Sequence, residues 1–251
     1  MCNNKYPMIY KYVTKGGMER LFDKKTLSFT RIDRWDDVYE GIMLQVIMSK
    51  QHLSCDEKRR IAMIIPKILY AQSWTYRPEE SNAMWDIFSK KSGARLCVYT
   101  SEIYKIVNKW LPDKFELIEP GHVEYNGITP VYDIDKENIR SALLHKNIAY
   151  DYEREYRFSI YNSFQWEKIK NTINEKNEDR RLDLLRKIEN EVDSNKSFLD
   201  YKIEKDTIRE MLLHYDSSPD ELEKIKEKCE GLDLNIGTIS ISNLHDKGLN
   251  F

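Results

Sequence analysis

The chain has no Gly-x-x-x-x-Gly-Lys-Ser/Thr loop and no Gly-x-Gly-x-x-Gly, which excludes the two commonest phosphate cradles. It also lacks His-Glu-x-x-His and Gly-x-Ser-x-Gly, so neither a zincin nor an α/β-hydrolase nucleophile elbow is present. Its four cysteines (Cys2, Cys55, Cys97, Cys229) form no Cys-x-x-Cys, and its five histidines show no ligand spacing. A zinc site is therefore not expected. No apolar run approaches the roughly 20 residues that span a bilayer, so no membrane partner is expected. Residues 1–12 lack the apolar core of a signal peptide. The expectation is a cytoplasmic chain with reduced thiols.

Net charge of one sign is also missing. Against 40 Lys and Arg stand 42 Asp and Glu, which argues against a general nucleic-acid coat. The balance hides a gradient. Residues 1–75 hold 13 basic and 8 acidic residues, and residues 165–251 hold 15 and 20.

What is present is a folded composition: 251 residues, 41% hydrophobic, with 16 Tyr. Alternation and breakers predict strands at Tyr6–Thr14, 27–30, 70–75, 96–100 and 198–203, and a last one at 234–242. Gly16-Gly17 reads as a break before a short helix with Met18, Leu21 and Phe22. Ser81 reads as the N-cap of a helix from Asn82 to Lys91 that stops at Gly93. Helices are also expected at 101–110, 136–147 and 206–215, and from Ser218-Pro219 to about Glu230. Asn126-Gly127 is a hairpin signal. Residues 165–195 read as one long charged helix with Leu182, Leu185, Ile188 and Val192 as its stripe. Together these predict an α+β fold: one domain over residues 1–251 with a mixed, mainly antiparallel sheet and a charged helical insertion at about 165–195.

The segment Tyr150–Tyr161 carries the strongest chemical signal. Read as a strand, it places Tyr152, Tyr156, Phe158 and Ile160 on one face, with Asp151, Glu153, Glu155 and Arg157 on the other. Two carboxylates about 7 Å apart on one face raise the cost of ionising both, so one pKa should rise. The alternative is a solvated face in which Arg154 and Arg157 pair with the glutamates. Ser73 and Thr75 flank Trp74 at a strand end, where hydroxyls orient ligands. Trp85 is a stacking candidate as well as a core candidate. The loop Trp35-Asp36-Asp37-Val38-Tyr39-Glu40-Gly41 holds three carboxylates; magnesium is conceivable there, and turn chemistry is the plainer reading.

Four segments in this order resemble a bacterial family catalogued as domain of unknown function 2971. They are Tyr10-Lys11-Tyr12, Trp35 through Glu40, Ser73-Trp74-Thr75 with Ser81, Met84 and Trp85, and Tyr152 through Arg157. The element order is more distantly similar to ADP-ribosyltransferase-like folds. That resemblance implies NAD as substrate, with Glu155 and Glu153 as the catalytic pair. It implies that Tyr10, Lys11, Tyr12, Ser73, Thr75, Trp85 and Arg157 contact NAD, with Asp37 and Glu40 as accessory residues. The function it implies is a toxin-type or anti-phage effector that ADP-ribosylates a protein or nucleic-acid acceptor, with an antitoxin or regulatory partner. Two alternatives stand beside it. One is a nucleic-acid-directed effector without NAD chemistry. The other is a non-catalytic sensor or interaction module docking through residues 165–195.

Overall fold

A computed structural model describes residues 7–35, 53–125, 139–140 and 143–244. The protein is a mixed α+β structure with a mixed open sheet. By its internal contacts the chain divides into two compact units, each discontinuous in sequence. Asp37, Glu40 and the Asn126-Gly127 hairpin signal lie outside the described residues.

The first unit gathers Met1–Leu27, Trp74–Trp110 and Asp200–Phe251. Its first strand, β1 (Met8–Val13), leads into helix α1 (Lys15–Lys24). Strand β2 (Thr26–Arg31) follows, and its last residues belong to the second unit. Strand β3 (Leu69–Thr75) gives Trp74 and Thr75 to the first unit, and Tyr10 pairs antiparallel with Thr75. Helix α3 (Asn82–Phe88) and strand β4 (Ala94–Tyr99) come next, numbered after α2 (Cys55–Ile68) of the second unit. Helix α4 (Thr100–Trp110) follows β4. β4 pairs antiparallel with β1 and with β8 (Glu210–Leu213), and β8 pairs in parallel with β9 (Thr238–Ile241). Helix α7 (Pro219–Gly231) bridges that parallel pair, as a parallel connection requires.

Strand alternation sorts the first unit into two faces. Ile9, Leu96, Val98 and Met211 form an apolar face with no measurable exposure. Tyr10, Tyr12, Arg95, Cys97, Glu210 and Leu212 share the other. Met84 and Trp85 of α3 pack with Tyr12 and Leu212 on that second face. Gly93 precedes β4 at φ 91°, and a Cβ there would lie 2.1 Å from the Val13 carbonyl oxygen, so only glycine fits.

The second unit gathers Ser28–Ser73 and Leu111–Leu199. Strand β5 (Phe115–His122) pairs antiparallel with β6 (Glu155–Asn162), and β6 neighbours β3. β3 in turn pairs antiparallel with β2 through Thr30 and Ala71. α2, α5 (Ser163–Ile173) and α6 (Glu178–Asp193) bury a shared core that includes Ile61, Ile65, Trp166, Ile169, Leu185 and Ile188. Strand β7 (Phe198–Lys202) pairs with β2.

β1, β3, β4, α4 and α7 fall where the sequence puts them. In α7, Ser218 and Glu221 form a reciprocal capping box with Pro219 in the first turn. Several expectations are corrected. Gly16 and Gly17 do not precede α1 but lie in its first turn, because the Thr14 side chain caps Gly17 N–H at 3.1 Å. Pro66 sits inside α2, two residues before its end, and can donate no N–H to the turn before it. Residues 206–215 hold the strand β8 instead of a helix. Met211 and Leu213 are buried there between two partner strands, which overrides their helix propensity. The single helix at 165–195 is two, because Asn177 caps α6 by accepting from Arg180 N–H. These helices are core elements, with Leu185 and Val192 buried, and not an appended arm. β5 has no counterpart among the expected strands. Pro120-Gly121 masks it, and the pairing shifts register between Ile118 and Gly121. Among the described residues no helix is long and apolar enough to cross a membrane.

Candidate active site

The strand expected at 150–161 begins only at Glu155. Asn147 accepts from Ala149 N–H and starts a 3-10 turn over Ile148–Glu153, and Arg154 follows with φ 46° in the left-handed region. Glu153 and Glu155 are therefore not two steps apart on one strand face. Tyr152 lies on that turn and is exposed, and Asp151 pairs with Arg154 at 2.9 Å.

The two carboxylates nevertheless meet. Lys146 Nζ donates to Glu153 Oε2 and to Glu155 Oε1, both at 2.8 Å, and stands 4.6 Å from the Tyr150 ring centroid. The other oxygen of Glu155 accepts from Arg157 Nη2 at 2.6 Å and Nε at 3.2 Å. Arg157 Nη1 donates to the Leu143 carbonyl at 2.7 Å, and its guanidinium lies 4.7 Å from the Trp35 ring centroid. The backbone holds this cluster closely. Glu155 N–H donates to Tyr125 Oη at 2.8 Å, and Val123 N–H donates to the Glu155 carbonyl at 2.9 Å. Glu124 and His145 form a parallel bridge that fixes the neighbouring Lys146.

Burial is nearly complete: Glu153 is 5% exposed, Glu155 3% and Arg157 1%. The face expected to be solvated or to line a cleft is an ion network inside the unit. Loss of hydration pushes the Glu153 carboxyl up to about 8, helped by its hydrogen bond to Glu155 and by that residue's charge. Burial alone would also raise Glu155. The Arg157 charge, the hydrogen bond from Glu153 and Lys146 outweigh it and hold Glu155 well below the usual carboxylate range. The Tyr125 phenol is pushed up by burial and then by the Glu155 charge. The two carboxyls are driven in opposite directions, Glu153 toward its neutral form and Glu155 toward the anion. Two carboxyls with pKa values driven apart in this way suit an acid/base role beside a fixed anion.

The other expected residues are placed as follows. Lys11 points to the opposite sheet face from Tyr10 and Tyr12, with Nζ 5.6 Å from the Trp74 ring centroid. Tyr10 lies under Arg95 at 4.7 Å, and burial pushes its phenol up to about 12. Tyr12 accepts from Ser81 N–H at 3.4 Å and meets Trp85 edge-on at 4.9 Å. Trp85 has no exposed surface, donates Nε1–H to Glu80 at 3.1 Å and packs against His214. Core packing is its role, and stacking on a ligand is not open to it. Thr75 is buried and accepts from Arg77 N–H, while Ser73 is half-buried. Arg157, expected as a cofactor contact, is occupied by Glu155, Leu143 and Trp35. His214 is 1% exposed and packs against Trp85 and Tyr215. Among the described residues no three His, Cys, Asp or Glu side chains gather as metal ligands would.

Sequence reading missed Lys146, Tyr125 and Trp35 as partners of the carboxylates. Only Trp35 carried a signal, since it opens the Trp-Asp-Asp motif. Arg95 was also missed, although a lone charge in the apolar run Ala94-Arg95-Leu96-Cys97-Val98 marks it. No protein family, curated protein or solved structure matches the chain. The site's own geometry therefore has to carry its function.

Proposed function

We propose that this chain is an ADP-ribosyltransferase-type enzyme that cleaves NAD and transfers ADP-ribose to a protein or nucleic-acid acceptor, as an effector of toxin or defence type. The observation that carries the reading is the buried pair Glu153–Glu155 on one lysine, 2.8 Å from each carboxylate; burial raises the first carboxyl, while the Arg157 charge overrides burial and lowers the second. In the reaction the bond between ribose C1′ and the nicotinamide nitrogen breaks, and nicotinamide leaves with the electron pair. The Glu155 anion stabilises the cation left on the ribose. The acceptor nucleophile attacks C1′ and gives its proton to Glu153. Glu153 must be unprotonated to take it, so kcat/KM rises with pH through about 8 and then levels. Lys11, Tyr10, Tyr12, Ser73 and Thr75 enter this reading as NAD contacts only through the family resemblance.

The test is release of nicotinamide and transfer of label from NAD by wild type, Glu155→Ala and Glu153→Gln across pH 6 to 9. Turnover in wild type, lost in Glu155→Ala and without the rise near pH 8 in Glu153→Gln, supports the assignment. Equal turnover in wild type and Glu155→Ala defeats it.

One observation favours a second reading. Both oxygens of Glu155 are already engaged, by Lys146 and Arg157, at 3% exposure. A carboxylate so enclosed also serves as a buried pin in a non-catalytic interaction module. In that case Glu155→Ala lowers the melting temperature and wild type releases no nicotinamide.

A further inference from the structure

Three arginines are buried among the described residues: Arg31, Arg95 and Arg157. Arg31 grips the Asp33 carboxylate with two bonds, at 2.6 and 3.0 Å. Arg157 grips Glu155 with two, at 2.6 and 3.2 Å. Arg95 differs. It is 6% exposed, yet its carboxylate contact is a single one, Nη2 to Glu210 Oε1 at 3.5 Å, the outer limit of a hydrogen bond. The Glu210 side chain is 37% exposed. The remaining contacts of Arg95 are neutral: the Pro78 carbonyl at 2.8 Å, the Tyr12 hydroxyl and the Tyr10 ring at 4.7 Å.

A guanidinium out of water needs a close counter-charge, and its planar fork matches a carboxylate or phosphate held by two bonds. Here the fork is pre-set. β4 fixes Arg95 opposite Tyr12, the Pro78 carbonyl holds Nη1, and Tyr10 supports the guanidinium. The anion place is filled loosely by a side chain that reaches in from solvent. What Glu210 reaches from its exposed position, a dissolved oxyanion reaches by the same path.

We propose that Arg95 is an oxyanion site of the first unit, taking a phosphate group in place of the Glu210 carboxylate. The phosphate belongs to free inorganic phosphate, pyrophosphate or a nucleotide. The proposal does not rest on the transferase reading.

The test follows the Arg95 Nε–H resonance by NMR during titration with inorganic phosphate, pyrophosphate and adenosine monophosphate at constant ionic strength set with chloride. A saturable shift is expected, and the tightest of the three identifies the source. Glu210→Gln removes the internal competitor without touching the core, and should tighten binding about two- to fivefold, the size of an exposed ion pair. Arg95→Lys should weaken it about tenfold or more through loss of the fork. The proposal is overturned if none of the three anions gives a saturable shift, or if Glu210→Gln binds no more tightly than wild type. The Glu210 arm stands even where an Arg95 variant does not fold.

Discussion

Arg157 and Arg95 are both guanidiniums buried on sheet strands, one in each unit, and they are neutralised in opposite ways. Arg157 meets a carboxylate that is itself buried, in short double contact, and a lysine with a second carboxyl completes the set. Arg95 meets neutral acceptors closely and its carboxylate only at 3.5 Å. The first arrangement is closed: Lys146, Glu155 and Arg157 are held against one another inside the unit, and taking one away strands another in a medium that cannot solvate it. In the second, the carboxylate is itself 37% exposed and stands at the limit of hydrogen-bond distance. Burial of an arginine therefore does not by itself mark a structural or a binding role. The distance and exposure of its counter-charge do.

The largest effect that would break this comparison is in the closed network. Arg157→Met should cost about 3–5 kcal/mol in denaturant unfolding, because it leaves Glu155 buried beside Lys146 alone. Arg95→Met should cost less, about 1–3 kcal/mol, since it releases neutral acceptors and an exposed carboxylate. Equal costs would erase the distinction.

A smaller effect is pH dependence. The folded-state pKa of Glu153 is raised, so its contribution to stability is full below the ordinary glutamate range and is lost as pH rises toward about 8. Glu155 is lowered and stays ionised throughout that window in both states, so it adds no slope there. Wild type should therefore melt at lower temperature at pH 8 than at pH 5.5 by more than Glu153→Gln does. A parallel pair of profiles would show that Glu153 carries no extra proton in the fold. The smallest effect belongs to Glu210→Gln, whose stability should lie within about 0.5 kcal/mol of wild type at neutral pH. A larger loss would mean that the Arg95 cluster is closed after all.

Local signals were legible in the residues. The capping box at Ser218 and Glu221, the β-branched and aromatic runs of β3 and β4, and the apolar stripe of α4 each state their structure within a few residues. Where a signal was masked or overridden, the reading failed. Pro120-Gly121 hid β5 behind a bulge, and burial between β4 and β9 turned a helix-prone Met-Leu-Leu into β8. At the candidate site the residue types Glu153, Glu155 and Arg157 were readable, as was the prediction that one carboxyl would be raised. The geometry given for it was not correct, because a 3-10 turn over Ile148–Glu153 and the left-handed Arg154 come between the two glutamates' expected strand positions.

The sequence by itself therefore determined the chemistry available: two glutamates and an arginine within five residues, and an arginine alone in an apolar strand. It also determined the short-range elements, since capping and alternation act over two to four residues of the chain. Only the tertiary structure decided the partners. Lys146 reaches Glu153 and Glu155 through the bridge between Glu124 and His145, and Arg95 meets Tyr12 and Glu210 through strand register. Charge pairing inside a fold is a matter of through-space distance and lost hydration, and neither quantity is written in spacing along the chain.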